Sequence, residues 1–243
     1  MLKIETITQR LEIMAGQNDP ADLLWPENCE GSRKALVIFV GPSPGGKKED
    51  KRREINPRKI KPLWNKAYLD PLNWSRGFKV SFQPIVESII GMPYKDAAKL
   101  IARANMDWMQ NPESQNVSYR YMWEGCSYIL PIIKECNPDL IVPMDKKTFW
   151  VLQIALYNDG HKILPAKIGK IRIKISEKNG KARYHTSVMA FMAINEKRSF
   201  LVIKSLQHPA RIYDDEYASR IGQAIKLTAE QIWNGDVVNI NLS

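Results

Sequence analysis

Ala35-Leu-Val-Ile-Phe-Val40, running into Gly41-Pro-Ser-Pro-Gly-Gly46, is the stretch on which the reading of this chain turns. Six consecutive apolar residues stopped by Gly and Pro are too few for an ordinary helix and read as a strand buried on both faces of a sheet. A second stretch has the same design: SFLVIKSLQ, 199–207, then His208-Pro-Ala-Arg211. In an open α/β sheet, ligands lie beyond the carboxyl ends of the strands. The two turns, distant in sequence, are therefore expected to face one cleft.

Working outward, DLIVPM at 139–144 is a further buried strand. Helices are expected at 2–14, where Ile4, Ile7, Leu11 and Met14 recur at helical spacing, at 118–135, ending before Pro138, and at 146–157. Another helix, 214–233, opens with Asp214, Asp215 and Glu216, which suit the positive end of its dipole. Residues 62–84 are rich in aromatics, and 94–107 fit helix at their start and strand at their end. At 168–193 a hairpin is expected: Ile171, Ile173 and Ile175 alternate with Arg172 and Lys174, and Asn179-Gly180 supplies the turn. The last ten residues read as a tail. The expected fold is α/β: three-layer α/β/α with a central, mainly parallel four- to five-stranded sheet, plus the basic β-hairpin. One domain over 1–243 is expected, with 1–33 an N-terminal helical extension.

The hydrophobic fraction, 44% over 243 residues, argues against disorder. A formal charge of +10 and a pI near 9.4 point to an anionic partner, and DNA is the expected one. The basic stretch 47–61 carries eight cations against three acidic residues. With the cationic face of the hairpin it offers Lys47, Lys48, Lys170, Arg172 and Lys174 as candidate phosphate contacts, or as plain solvated faces. The cysteines Cys29, Cys126 and Cys136 are widely spaced with no CxxC pair, so neither a disulfide framework nor a metal site is expected. No apolar run approaches about 18 residues. No cofactor and no membrane association are expected, and the chain is expected to be a cytoplasmic monomer.

Gly41 to Lys47 has the G-x-x-x-x-G-K spacing of a P-loop, but not its chemistry. A P-loop cradles phosphates with successive backbone N–H groups, then offers a hydroxyl to magnesium. Pro42 and Pro44 each remove a donor, and Lys48 stands where the hydroxyl belongs. A rigid turn aimed into a cleft fits better, with Gly permitting close approach to a ligand. A stiff turn with no ligand has the same composition.

VGPSPGG and LQHPAR, with IARANMDWMQNP and then YRYMWEGCSYILPIIKECNPDLIVPM between them in that order, resemble the uracil-DNA glycosylase superfamily over roughly 34–233. The resemblance implies an enzyme of DNA repair that flips a damaged base from the duplex and hydrolyses its N-glycosidic bond. His208 would donate a hydrogen bond to the departing base, and Asn105 would read the base edge beside Gly41 and Pro42. Trp64, Tyr68 or Trp74 would stack on the base. Arg211 and Ile212 would enter the DNA, filling the vacated space or gripping phosphates. The chain departs from the family at Ser43, where active members carry Asp, Asn or Glu to activate or position water. A serine orients water but is no base without a partner; Glu49 or Asp50 is a candidate carboxylate. The iron–sulfur cysteines of some branches are missing. Two alternatives remain open: a catalytically silent member that binds DNA or a base, and an unrelated α/β enzyme for a small anionic substrate.

Overall fold

A computed structural model describes residues 35–42, 76–106 and 117–243. The expected helix at 2–14, the basic stretch 47–61, and Cys29, Ser43, Trp64, Tyr68 and Trp74 lie outside the described residues.

Strand β1 (Val37–Gly41) is buried at every position and pairs in parallel on both sides. Its neighbours are β2 (Ile101–Asn105) and β3 (Leu140–Pro143). Beyond β3 lies β8 (Arg198–Ile203), again parallel. Two antiparallel strands complete that side, β7 (Ala190–Asn195) against β8 and β4 (Lys162–Pro165) against β7. The order β2-β1-β3-β8-β7-β4 makes a mainly parallel sheet of six strands, where four or five were expected. The difference arises at 162–165, where no strand was expected, and at 190–195. AFMAIN begins inside the 168–193 stretch expected to contain the hairpin, but it pairs with β8 across the Glu196-Lys197 turn.

Alternation along the strands divides the core. Ile38, Val40, Ala102, Ala104, Ile141 and Val202 share one apolar cluster with helices α3 (Tyr119–Cys136) and α4 (Lys146–Asn158). Val37, Phe39, Ile101, Leu140, Val142, Leu201 and Ile203 share the other with α1 (Arg76–Ile90) and α5 (Asp215–Trp233). Each fully buried Val, Leu, Ile or Phe stabilises the fold by about 1.5–3 kcal/mol relative to exposure, which explains why these strands read as continuous apolar runs. Side chains cap the helices: Ser118 accepts from Tyr121 N, Asp145 from Thr148 N at 2.7 Å, and Asp214 from Tyr217 N at 3.0 Å. Residues 94–107 use both of their tendencies, as α2 (Tyr94–Ala97), a 3-10 turn, and then β2.

The hairpin forms from β5 (Ile168–Lys178) and β6 (Lys181–His185). Asn179 and Gly180 both take positive φ, 54° and 71°, as a tight two-residue turn requires. The final residues are not a tail. They form β9 (Val238–Leu242), parallel to β5, and create a second sheet of order β6-β5-β9. VNINL alternates apolar residues with Asn, and Val238 and Ile240 join Ile171 and Ile173 in the cluster that contains α5. Among the described residues, no helix is long and apolar enough to cross a membrane.

Candidate functional site

The four parallel strands end on one edge of the larger sheet. Backbone bonds extend the ladder past the strands: Met106 N to Gly41 O at 2.8 Å, Met144 N to Val40 O at 2.8 Å, and Ser205 N to Pro143 O at 2.9 Å. The chain leaves β1 for β2 on one side and later returns to β3 on the other. That reversal of strand order at β1/β3 is where open α/β sheets form their ligand crevices.

Gly41 and Asn105 are register partners at this edge. A Cβ on residue 41 would stand 2.5 Å from Asn105 Oδ1 and 3.8 Å from Met144 Sδ. The absence of a side chain at 41 is thus what lets the Asn105 amide lie against β1. Pro42 is buried and Asn105 half-buried. An amide in this position brings both donors and an acceptor to the edge.

His208 stands in the turn that follows β8. Several bonds shape this turn: Ser205 Oγ donates to Gln207 O at 2.7 Å, and Arg211 N to His208 O at 2.9 Å. From α1, the buried Ser81 donates through Oγ to Pro209 O at 2.5 Å. Burial pushes the His208 pKa below its usual value; Asp145 opposes the shift, and Arg211 and Arg103 reinforce it. Near pH 7 the imidazole is therefore largely neutral, an N–H donor rather than a cation.

Two further residues at this edge, Asp145 and Lys204, do not stand out in the sequence. Asp145 follows β3 and caps α4, and its charge favours the protonated forms of both His208 and Lys204. Its signal is its position, an aspartate directly after a buried strand at the end where ligands bind. Lys204 follows β8, half-buried, with Nζ donating to Ser205 O at 2.5 Å. Burial lowers its pKa, Asp145 raises it, and Lys146 lowers it.

The structure thus brings Gly41, Pro42, Asn105 and the His208 turn to one edge. Ser43, Lys47, Lys48, Glu49, Asp50, Trp64 and Tyr68 lie outside the described residues. Ile212 requires correction. It is 1% exposed and belongs to the cluster containing α1 and α5, so it offers no surface to DNA. Its neighbour Arg211 is exposed. On the hairpin, Lys170 and Arg172 are exposed, and the Arg172 guanidinium lies 4.3 Å from the Tyr184 ring centroid. Lys174 is bound to Glu177 at 2.7 Å, which offsets its charge locally. Among the described residues, no group of His, Cys, Asp and Glu is arranged to hold a metal ion. The Cys126 thiol donates to Met122 O at 3.3 Å, and burial pushes its pKa up to about 12, as for a structural rather than a reactive cysteine.

No family model matches the sequence, and no curated protein matches it.

Proposed function

We propose that this protein is a DNA-base glycosylase of the uracil-DNA glycosylase kind, which binds DNA and hydrolyses the N-glycosidic bond of uracil or another damaged base. The observation that carries this reading is the Asn105 amide seated on Gly41 at the edge shared with the His208 turn. A flipped pyrimidine presents alternating donors and acceptors, and an amide complements them. As the glycosidic bond breaks, negative charge develops on the base oxygen, and a neutral imidazole N–H stabilises it without first giving up a proton. Ser43 orients the attacking water. The helices that share core clusters with opposite sides of the larger sheet fit the three-layer architecture this function uses.

The test is a panel of oligonucleotides carrying uracil and other modified bases, single- and double-stranded, scored for alkali-labile abasic sites. Excision is expected for at least one base, with a loss of roughly tenfold or more in H208A. No product on any base would overturn the reading. Ser43, standing where active relatives carry a carboxylate or amide, favours a second reading, a silent member that binds DNA without cutting it. Salt-sensitive binding without excision would select it.

A further inference from the structure

A line of side-chain hydrogen bonds joins the basic hairpin to the turn that carries His208. His185, the last residue of β6, places Nε2 2.5 Å from Tyr217 Oη. Tyr217 Oη donates to Gln207 Oε1 at 3.3 Å, and Gln207 Nε2 donates to Arg211 O at 2.5 Å. A phenol has a single proton. With that proton directed to Gln207 Oε1, the tautomer of His185 that carries hydrogen on Nε2 donates to Tyr217. Every link then donates in one direction, from β6, across the first turn of α5, to the carbonyl at the end of the His208–Arg211 turn.

The line is buried at its centre and reaches the surface at Arg211. Tyr217 is 4% exposed, and His185 and Gln207 are half-buried. The His185 and Tyr217 rings stack, with centroids 6.0 Å apart and planes at 19°. Burial raises the Tyr217 pKa to about 12, so the phenol keeps its proton. Burial, reinforced by Lys204 and Arg183, lowers that of His185. A core position needs only an aromatic ring at 217. The hydroxyl is spent on the turn.

The geometry points to Tyr217, with His185 behind it, as a positioning residue for His208. The phenol holds the Gln207 amide, the amide holds the Arg211 carbonyl, and the bond from Arg211 N to His208 O at 2.9 Å carries that constraint to His208. Such a constraint matters because a small misplacement of a catalytic group costs up to about a hundredfold in rate. The consequence for turnover rests on the role proposed above for His208; the ordering of the turn does not.

The test is Tyr217→Phe, which keeps the ring and its packing and removes only the hydroxyl. Amide hydrogen exchange across 207–212 is expected to rise about tenfold, as for the loss of one hydrogen bond. The His208 imidazole titration, followed by NMR, is expected to move toward that of an ordinary histidine. Base excision is expected to lose about tenfold in kcat, with KM within about twofold. His185→Leu should reproduce these changes, and His185→Gln, which retains an N–H donor, should restore most of the wild-type behaviour. Unchanged exchange and unchanged His208 titration in Y217F would overturn the proposal. If the wild-type protein excises no base, the glycosylase reading fails, and exchange and titration still decide the role of Tyr217.

Discussion

The amide oxygen of Asn105 lies 2.5 Å from the point where a Cβ on residue 41 would stand, and the two residues are register partners on adjacent parallel strands. Gly41 is therefore the floor beneath an amide as well as the start of a turn. The two positions cannot vary independently.

Gly41→Ala is expected to force the Asn105 side chain aside and destabilise the fold by about 1–3 kcal/mol, as overpacking does. Asn105→Ala in the same chain removes the obstructing atom, so the double variant should recover most of that loss. Denaturant unfolding of the four proteins in the cycle measures the coupling. Strictly additive losses would mean that the amide does not occupy the space above Gly41.

Acidification should destabilise the protein. His161, His185 and His208, the chain's 3 histidines, all have lowered pKa values, with burial the largest cause in each. At His161 the carboxylate of Asp159, 3.6 Å away, works against the shift without reversing it. In the unfolded chain histidines titrate near pH 6.5. Between that pH and the lower folded values, the unfolded state binds more protons, so stability rises with pH. The contribution is complete above pH 6.5 and is lost as pH falls through the folded values. Urea midpoints measured from about pH 7.5 to 5 should fall steadily; a flat profile would contradict the burial of these imidazoles.

Lys170 and Arg172, exposed cations near the start of β5, are expected to carry the hairpin's share of DNA binding. Charge reversal at both should weaken binding and reduce the salt slope by about one for each phosphate no longer engaged. Lys174→Glu alone should do less, since Glu177 already offsets its charge at 2.7 Å. Fluorescence anisotropy at several salt concentrations measures this, and an unchanged slope in the double variant would remove the hairpin from the interface.

Strands buried on both faces are the most legible part of the fold, because β1, β3 and β8 are apolar at successive positions rather than alternate ones. Helix starts are legible where Ser118, Asp145 and Asp214 supply caps. Pairing partners are not, since a period of two says which face a residue takes and not which strand lies beside it. Hence AFMAIN reads as part of the hairpin although it pairs with β8, and VNINL reads as a tail although it pairs with β5. At the candidate site, Gly41 and His208 are readable from their places at strand ends, and Asn105 only through the order of motifs that the resemblance rests on. Ile212 is not, because its burial depends on α1, whose Ser81 draws the Pro209 carbonyl inward from more than a hundred residues away. Asp145 reads only as part of a helix start, although one carboxylate there both caps α4 and acts on two neighbouring titratable groups, Lys204 and His208.

Gly41, Asn105, Asp145 and His208 come from four successive parallel strands, each separated from the next by a long excursion of chain. Parallel neighbours cannot zip from a tight turn. Each pairing first meets the entropy of closing a long loop, which makes such contacts slow to form. The edge that gathers these residues is therefore assembled late and cooperatively, and no fragment holding one or two of the strands carries it. A small molecule that binds there will register as added stability of the whole sheet, so thermal shift is a direct route to finding one.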